Sequence, residues 1–442
     1  MKQKNIINKI ELKRVKRVKY NDGGNMKILE ITGREKLSGS IRISGAKNSS
    51  VALIPAAILA DDEVTICNVP EITDTDALCD ILAELGVETK RASESVVIST
   101  ENIKNIEISE KFSRRLRASY YFMGALLGRY KKAIMHFPGG CSIGARPIDQ
   151  HLKGFEALGA KVTIEKNKYT VEAQELKGAN IYLDVASVGA TINIMLAAVK
   201  AKGTTTIDNA AKEPEIVNVA TFLNNMGAKI TGAGTSTIRI KGVDKLHGCF
   251  HEVIPDRIEA GTYLIMGALC GDRLKIDNII PEHLDSLISK LQEIGADMEI
   301  GLDYITISKG EDYKSTSIKT APYPGFPTDL QQPFTVLLTQ CKGKSKVEET
   351  IWENRFMHVP YLSAMGSDIT VKNRTATIIG PNELRASSVV ATDLRAGAAL
   401  VIAALIAEGT TMITNVEHIL RGYEQIVEKL TSVGAKIKSR EI

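Results

Sequence analysis

The 442-residue sequence has few of the features that mark membrane, metal-binding or nucleotide-hydrolysing proteins. Its longest apolar stretch, residues 396–407, is well short of the ~20 residues that a membrane-spanning helix needs. The six cysteines form no CxxC pair. The sequence also contains no GxxxxGKS or GxxxxGKT loop, and it has no convincing GxGxxG motif after a strand pattern. We therefore expect no membrane span, no metal centre, and neither nucleoside triphosphate hydrolysis nor dinucleotide redox chemistry.

The N-terminus also lacks the apolar segment of a secretory signal. Scattered cysteines without such a signal are most simply interpreted as reduced thiols, so we expect a cytoplasmic protein. Hydrophobic residues make up 44% of the chain and charged residues 24%, which is typical of an ordinary globular protein.

Charge is distributed unevenly between the first 25 residues and the rest. Residues 1–25 carry eight Lys and Arg against two acidic residues, which leaves a net charge of −2 on residues 26–442. Such an arm is suited to nucleic acid or another anionic surface, but charge runs are usually solvated, and a regular strand pattern begins only after Met26. We therefore expect residues 1–25 to form a disordered extension, and no nucleic-acid partner for the body of the protein.

What the sequence does contain is a repeat of about 70 residues. Six times, an apolar residue, a glycine and a small residue separate a helical pattern from an alternating β pattern. The glycines lie 73, 68, 68, 71 and 68 residues apart, at Gly86, Gly159, Gly227, Gly295, Gly366 and Gly434. Because glycine tolerates the left-handed conformation that ends a helix, each copy predicts a helix, a tight stop and a strand.

A fixed period of this kind defines the architecture, so we predict an α/β protein of six repeated units. The chain is also longer than one hydrophobic core usually accommodates, and two or more domains are expected. Six units divide naturally into two groups of three.

The densest group of unusual residues is the stretch from Pro138 to His151, PGGCSIGARPIDQH. Its closely spaced glycines predict a mobile loop that leads into a helix beginning near Asp149, where a carboxylate suits the free N–H groups. Cys141 lies between glycines and near Arg146, whose charge favours the thiolate. A loop cysteine is more often inert than catalytic, and on physical grounds alone both interpretations stay open.

Five cations lie in short turns rich in small residues: Lys47, Arg117, Arg355, Arg395 and Arg421. A single arginine is more often a surface ion-pair partner than a ligand of a substrate. Five cations in different repeats favour instead a cleft between the two groups of units. Because guanidinium groups bind phosphate and carboxylate through paired hydrogen bonds, that cleft would hold a highly anionic substrate.

A proline-rich segment, residues 322–329, ends in Asp329 just before a helix pattern. Prolines keep such a segment extended and so fix the position of the carboxylate. Asp329 is suited to be the N-cap of the helix or the general base for a hydroxyl substrate, and the sequence alone favours the cap.

Together these stretches closely resemble one family, the UDP-N-acetylglucosamine 1-carboxyvinyltransferases, which are enolpyruvyl transferases. The resemblance runs from about Met26 to the C-terminus, and its most specific motif is the loop with Cys141 and Gly-Ala-Arg-Pro. The other matching stretches are Gly45-Ala-Lys-Asn48, Arg117-Ala-Ser-Tyr120, Ser187-Val-Gly-Ala190, Glu213-Pro-Glu-Ile216, Ile254-Pro-Asp-Arg-Ile-Glu-Ala-Gly261, Phe326-Pro-Thr-Asp-Leu-Gln331, Glu353-Asn-Arg-Phe-Met-His358, Ala391-Thr-Asp-Leu-Arg-Ala396 and Arg421-Gly-Tyr-Glu424. The sister family that makes 5-enolpyruvylshikimate 3-phosphate shares the sixfold fold but lacks the cysteine loop.

The resemblance implies a two-domain, inside-out α/β barrel of six repeated units, with helices inside and sheets outside. Residues 26–46 and 255–442 would form one three-unit domain. Residues 47–254 would form the other, which carries the cysteine loop, and the substrate cleft would lie between the two.

The implied reaction transfers the enolpyruvyl group of phosphoenolpyruvate to the 3′-hydroxyl of UDP-N-acetylglucosamine and releases phosphate, the first committed step of peptidoglycan synthesis. The catalytic residues would be Cys141, Asp329, Lys47 and Arg395. Asp329 would take the hydroxyl proton, and Cys141 would protonate the methylene carbon of phosphoenolpyruvate, to which it can also add covalently. Addition would give a phosphate-bearing tetrahedral intermediate, and elimination of phosphate the enol ether.

The same resemblance assigns two sets of binding residues. Phosphoenolpyruvate would be bound by Lys47, Asn48, Arg146, Arg355, Arg395 and Arg421, with Lys47, Arg146 and Arg421 on its phosphate and Arg355 and Arg395 on its carboxylate. UDP-N-acetylglucosamine would be bound by Arg117, Arg146, Pro147, Ile148, Asp149, Gln150, Ser187, Val188, Gly189, Asp329 and Ile351. No cofactor and no metal is implied, and fosfomycin would inhibit by alkylating Cys141.

The chain departs from the family at a few positions. Val185 stands where some members have a lysine near the uridine diphosphate, which puts one phosphate contact in doubt. Trp352 stands where phenylalanine is usual. A different interpretation is a catalytically silent relative that binds UDP-N-acetylglucosamine and regulates the pathway, but the intact Cys141, Asp329 and cation set count against it.

Overall fold

The structure is a computed structural model that describes residues 27–92, 94–139 and 147–441. Residues 1–25, expected to be a disordered extension, lie outside the described residues. The strands are β1 (Lys27–Thr32), β2 (Leu37–Arg42), β3 (Val64–Cys67), β4 (Glu88–Ala92), β5 (Ser95–Ser99), β6 (Lys132–His136), β7 (Lys161–Glu165), β8 (Lys168–Glu172), β9 (Asn180–Tyr182), β10 (Thr204–Asp208), β11 (Lys229–Thr231), β12 (Thr237–Lys241), β13 (Phe250–Glu252), β14 (Gly271–Asp277), β15 (Asp297–Ile300), β16 (Tyr304–Ser308), β17 (Ser317–Lys319), β18 (Gly343–Glu348), β19 (Asp368–Lys372), β20 (Thr375–Gly380), β21 (Ser388–Val390), β22 (Thr410–Thr414) and β23 (Lys436–Glu441). The α-helices are α1 (Lys47–Ala56), α2 (Thr73–Glu84), α3 (Glu110–Ser113), α4 (Tyr121–Tyr130), α5 (Asp149–Ala157), α6 (Val188–Ala198), α7 (Pro214–Asn225), α8 (Arg257–Cys270), α9 (Asp285–Ile294), α10 (Thr328–Leu338), α11 (Val359–Ala364), α12 (Leu394–Ile406), α13 (Glu417–Leu420) and α14 (Ile426–Ser432).

Within the described residues, six sheets repeat one arrangement of strands. Five have four strands joined by two antiparallel pairings and one parallel pairing, in the orders β4-β5-β3-β13, β11-β12-β10-β9, β15-β16-β14-β2, β19-β20-β18-β17 and β23-β1-β22-β21. The sixth has the order β7-β8-β6, and a single parallel bridge between Ile108 and Met135 stands where the other sheets have a fourth strand. The sixfold α/β repeat predicted from the sequence is confirmed.

The repeat glycines end helices as expected. All six have φ between 78° and 107°, which is the left-handed region that residues with a Cβ rarely adopt. Each follows one helix of a unit (α2, α5, α7, α9, α11 or α14) and precedes one strand of that unit's sheet (β4, β7, β11, β15, β19 or β23). The period in the sequence is therefore the spacing of helix stops.

A largely buried helix comes just before one strand of each sheet, namely β3, β6, β10, β14, β18 or β22; these helices are α1, α4, α6, α8, α10 and α12. In α12 every residue from Leu394 to Leu405 is buried, and in α6 every residue from Gly189 to Ala198. A helix that is apolar on all sides has to be enclosed, so these helices pack against one another inside and the sheets lie outside. Within the described ranges, none of the helices is both long and apolar enough to cross a membrane.

The buried apolar residues that the structure describes form two clusters. The first lies within residues 46–253, and the second joins residues 29–43 to residues 258–437, because β1 pairs with β22 and β23 and β2 pairs with β14. The division into residues 47–254 and residues 26–46 with 255–442 stays a prediction, and these two clusters support it.

The chain passes between the two clusters twice, and the passages lie side by side. Gly45 forms an antiparallel bridge with Pro255. Next to it, the Oδ1 atom of Asp256 accepts the first free N–H groups of α8, and its Oδ2 atom accepts the N–H of Lys47 at 2.9 Å. One carboxylate thus fixes the first turn of an inner helix on each side, and Lys47 is held at the boundary between the clusters.

Candidate active site

Asp329, in the first turn of α10, is held by two buried arginines. Arg355 Nη2 donates to Oδ1 at 2.5 Å, and Arg395 Nη2 donates to Oδ2 at 3.2 Å. The arginine side chains are 4% and 5% exposed and that of Asp329 is 28% exposed. The N-cap interpretation of Asp329 is wrong, because Pro327 occupies the cap position, no side chain caps this helix, and guanidinium groups take the carboxylate oxygens.

The charges around Asp329 set its proton affinity. Burial alone would raise the pKa of Asp329, but the positive charges of Arg395, Arg355 and Lys47 outweigh burial and hold that pKa well below its ordinary value of 3.8. Asp329 is therefore ionised at neutral pH and, in this arrangement, a weak base. An anion that drew the two guanidinium groups away from the carboxylate would make it more basic.

Arg395 is fixed at both ends. Asp393 caps α12 by accepting the N–H groups of Arg395 at 2.8 Å and Ala396 at 3.0 Å. The Arg395 Nη1 atom donates to the Tyr423 hydroxyl at 3.1 Å, and that hydroxyl shares a 2.9 Å hydrogen bond with Thr262. Tyr423 belongs to the family-like stretch 421–424, but its contact with Arg395 could not be predicted from the sequence.

Glu349 connects the start of α10 to the segment that contains Ile351. This buried carboxylate accepts the Thr328 hydroxyl at 2.9 Å and the N–H groups of Ile351 at 2.8 Å and Trp352 at 3.2 Å. Because Thr328 directly precedes Asp329, Glu349 positions both the expected base and the expected nucleotide-sugar segment. Nothing in the sequence marks this role, since glutamates are ordinarily exposed.

A second carboxylate, Asp74, binds two more of the predicted cations. The Lys47 Nζ atom lies 3.1 Å from Asp74 Oδ2, while Arg421 donates from Nε to Oδ1 at 3.1 Å and from Nη2 to Oδ2 at 3.3 Å. The Asp74 side chain is only 7% exposed. Asp74 could not be recognised from the sequence, because an acidic residue in the first turn of a helix is ordinarily explained by the helix dipole.

Four of the five predicted cations are thus gathered around two carboxylates. Lys47 joins the groups, since it pairs with Asp74 and its charge also lowers the pKa of Asp329. Lys47 and Asp74 lie in the segment of the first cluster, whereas Asp329 and the three arginines lie in that of the second. The arrangement is a strongly cationic site at the boundary between the clusters. Asn48 follows Lys47 in α1 and is half-buried.

Arg117, the fifth cation, lies in a separate group with other residues expected to bind the nucleotide sugar. Its guanidinium is 5.8 Å from the ring centre of Tyr120. A Cβ on Gly189 would lie 2.8 Å from the Tyr120 hydroxyl and 2.9 Å from His151 Cε1, so this approach requires glycine. Ser187 caps the helix that follows by accepting the N–H of residue 190. Burial, with the charge of Arg117, lowers the pKa of His151 to about 3, so the ring is neutral.

Gln150 ties the start of α5 to the segment before Ser187. Its Nε2 atom donates to Asp149 at 2.9 Å and to Asp184 at 3.0 Å, and its Oε1 atom accepts the Asp184 N–H at 2.9 Å. Of the remaining expected residues, Pro147 and Asp149 are exposed, Ile148 is buried, and Val188 and Ile351 are half-buried. Two predicted residues, Cys141 and Arg146, lie outside the described residues, and their roles stay predictions.

His247 and His251 have the spacing of a metal-binding pair on a helix, which the sequence analysis overlooked. The segment is not helical, since β13 begins at Phe250, and the ring nitrogens of His251 lie 3.0 and 3.2 Å from the amide nitrogens of Asn218 and Asn225. In the part of the chain that the structure describes, no group of three His, Cys, Asp or Glu side chains is placed to hold a metal ion.

Comparison with known proteins places these features in a family. Residues 31–430 match the family model of EPSP synthase (3-phosphoshikimate 1-carboxyvinyltransferase). A protein of Listeria monocytogenes named UDP-N-acetylglucosamine 1-carboxyvinyltransferase 2 is 57% identical over 409 residues, 92% of this chain and 97% of its own length. A Bacillus anthracis protein of the same name is 56% identical over 413 residues, 93% of this chain and 96% of its own.

Solved structures show the same fold. The enolpyruvyl transferase NikO of Streptomyces tendae superposes with a TM-score of 0.87 at 27% identity, covering 95% of this chain and all of its own. EPSP synthase of Acinetobacter baumannii superposes with a TM-score of 0.72 at 18% identity, covering 94% of this chain and all of its own. The expected fold, six α/β units with helices inside, is confirmed.

Proposed function

This chain belongs to the UDP-N-acetylglucosamine 1-carboxyvinyltransferase family of enolpyruvyl transferases, and we propose that it transfers the enolpyruvyl group of phosphoenolpyruvate to the 3′-hydroxyl of UDP-N-acetylglucosamine. The observation that carries the proposal is the pair of carboxylates, Asp329 and Asp74, that hold four cations in one boundary site. A substrate with a carboxylate and a phosphate matches this arrangement, because each of its anionic groups finds two cations.

Phosphoenolpyruvate binds with its carboxylate on Arg355 and Arg395 and its phosphate on Lys47 and Arg421, joined by Arg146. Guanidinium groups suit both anions, since their N–H donors match pairs of oxygen atoms. Asn48 lies beside the phosphate. The cations are fixed before the substrate arrives, so they stabilise the departing phosphate without further reorganisation.

Asp329 takes the proton from the sugar hydroxyl as the hydroxyl oxygen bonds to the second carbon of phosphoenolpyruvate. In the free protein this carboxylate is a weak base because Arg355 and Arg395 donate to its two oxygens. A substrate carboxylate that shares those two arginines raises the proton affinity of Asp329 just when the hydroxyl is present. Binding of phosphoenolpyruvate thereby makes Asp329 a stronger base.

Cys141 donates the proton that the methylene carbon gains, and the adduct is a tetrahedral intermediate that still carries phosphate. Loss of a proton from that carbon and of phosphate from its neighbour then gives the enol ether. Burial raises the pKa of Cys79 and Cys249 to about 11 and those of Cys270 and Cys341 to about 12, which makes these four thiols poor nucleophiles. Burial thus disfavours four of the six cysteines, and the glycine-flanked loop motif selects Cys141 as the reactive thiol and as the target of fosfomycin.

UDP-N-acetylglucosamine binds across the Arg117 group, residues 147–150, residues 187–189 and Ile351. The approach of Tyr120 and His151 to Gly189 leaves room for no side chain there and brings α4, α5 and α6 together. Glu349 holds the Ile351 segment against the start of α10. The same residue therefore positions both the segment that binds the sugar nucleotide and the base Asp329. The reaction begins peptidoglycan synthesis, and we place it in the cytoplasm.

The test is release of phosphate from phosphoenolpyruvate at increasing concentrations of UDP-N-acetylglucosamine. We expect release that saturates with both substrates and a sugar nucleotide that gains the mass of the enolpyruvyl group. Cys141→Ser should lose turnover, whereas the matched control Cys249→Ser should retain it. Binding of UDP-N-acetylglucosamine without any phosphate release would contradict the transferase and support a silent regulatory relative.

A further inference from the structure

Asp74 pairs with two cations that lie on different sides of the boundary. Lys47 begins α1 and Asp74 lies in the first turn of α2, both in the first-cluster segment. Arg421 follows α13 in the second-cluster segment and donates hydrogen bonds to Asp74 from both Nε and Nη2. The carboxylate is therefore the shared partner of an ammonium and a guanidinium group, in the manner of an oxyanion bound by two cations.

Packing holds the two cations near each other independently of Asp74. A Cβ at Gly422 would lie 3.2 Å from Lys47 Cδ and 2.6 Å from a methyl carbon of Leu394, so the backbone next to Arg421 lies against the lysine stem. The N–H of Lys47 is in turn bound by Asp256. Two like charges confined in this way repel each other, and an anion between them offsets that repulsion.

We propose that Asp74 is a positioning residue that takes, in the free protein, the electrostatic place of the substrate's phosphate group and gives up Lys47 and Arg421 when a phosphate dianion binds. The inference rests on the proposed function for the identity of the phosphate site. Between turnovers Asp74 offsets the repulsion between the two cations that packing holds near each other. It also competes with phosphate, so it weakens phosphate binding and speeds product release.

The sign of one binding change tests the proposal. Inorganic phosphate is titrated into the free protein by calorimetry, without sugar nucleotide, and phosphoenolpyruvate is titrated in a second series. Asp74→Asn should bind both at least about tenfold more tightly, because a carboxylate 3.1 Å from a cation no longer opposes the incoming anion. Asp74→Glu, which keeps the charge, should remain within about threefold of wild type.

The matched control is Asp76→Asn, which removes a carboxylate from the same helical turn. Asp76 is exposed and pairs with Arg91 at 2.7 Å, away from the cation pair. It should leave phosphate binding unchanged. If Asp74→Asn binds phosphate as wild type does or more weakly, Asp74 does not compete with phosphate and the proposal is overturned.

Thermal unfolding supplies a second measurement. Asp74→Asn leaves two cations without their shared anion, so its melting temperature should fall in phosphate-free buffer and recover in phosphate, with a larger phosphate-induced rise than wild type shows. A variant that folds only in phosphate supports the proposal. Failure to fold even in saturating phosphate contradicts it, because phosphate would then not replace the carboxylate.

Steady-state kinetics separate this proposal from the proposed function. Asp74→Asn should lower the KM for phosphoenolpyruvate, tighten product inhibition by phosphate and lower kcat, since release becomes slow. A purely structural role would not tighten product inhibition. If the wild-type protein releases no phosphate from the two substrates, the proposed function fails, while the calorimetric result for inorganic phosphate still decides the role of Asp74.

Discussion

Replacing Asp329 with asparagine removes one charge and leaves the shape of the side chain nearly unchanged. Asp329→Asn keeps one oxygen that can accept from one guanidinium, while its amide N–H₂ faces the other. Arg355 and Arg395 are almost fully buried, so one of them loses a charged partner that water cannot replace. The variant therefore tests both the ion pairs and the proposed base.

The expected loss of stability follows from these contacts. Breaking a buried ion pair by removing one partner costs about 3–5 kcal/mol, but Asp329 is 28% exposed and Arg395 keeps its bond to Tyr423. We expect the free energy of unfolding to fall by about 2–4 kcal/mol. Loss of a general base should lower kcat by about 10²–10⁴-fold, with the Kd for UDP-N-acetylglucosamine within about fivefold of wild type.

The pH dependence gives the effect a second signature. Arg395, Arg355 and Lys47 lower the pKa of folded Asp329 below its ordinary value of 3.8, so its stabilising contribution is fully present above that value. It is lost only as the pH falls through the lower folded pKa. The difference in unfolding free energy between wild type and Asp329→Asn should therefore be constant from about pH 5.5 to 7.5 and narrow only below about pH 4.

Denaturant unfolding and phosphate release are measured on the same preparations. The control is Asp285→Asn, which alters an exposed carboxylate in the first turn of α9 and should change neither quantity by much. Turnover within tenfold of wild type, together with the predicted loss of stability, would reduce Asp329 to a structural ion-pair partner. Unchanged stability would refute the argument that it holds the two arginines.

Three further outcomes are expected. Glu349→Gln should lower the free energy of unfolding by about 2–3 kcal/mol, measured by denaturation, and raise the KM for UDP-N-acetylglucosamine, measured by kinetics. The reason is that the amide nitrogen of glutamine cannot accept the N–H and hydroxyl donors that bind the carboxylate. Starting the chain at Met26 should leave melting temperature and activity unchanged within error, and a large fall would show that the extension packs on the body. Fosfomycin should add to Cys141 alone, and faster with bound UDP-N-acetylglucosamine. Intact-mass spectrometry measures the rate and peptide mapping the position; an adduct on Cys67 or no acceleration would contradict this.

The architecture could be predicted because its signal is local and repeated. A helix stop needs a left-handed residue, glycine supplies it, and six such glycines at nearly constant spacing appear in one sequence. The sheet that has only the Ile108–Met135 bridge as its parallel edge shows the limit of the repeat. No glycine or strand pattern marks that loss, because a bridge of one residue leaves no periodicity.

The site could be predicted only in part, because a sequence shows which residues are charged but not which of them pair with one another. The cations were recognised from their small-residue surroundings, and four of them do meet. That Asp74 and Asp329 hold them depends on side chains from distant segments, as in the pair between Arg421 and Asp74. For Asp329 the local rule for helix caps gave the wrong result, because two buried guanidinium groups outweigh a backbone N–H as partners.

The sheet formed by β23, β1, β22 and β21 differs from the others in one covalent detail. Each other sheet contains an antiparallel pair of consecutive strands, as in β19 and β20, which are separated by two residues. Here the corresponding pair is β23 and β1, the last and first strands described, and Lys27 lies opposite Glu441. In chain order the polypeptide is thus a cyclic permutation of six similar units, arranged in two groups of three. A two-residue turn joining Glu441 to Lys27 would make the chain circular, and new ends opened between Lys372 and Thr375 would leave every strand pairing in place.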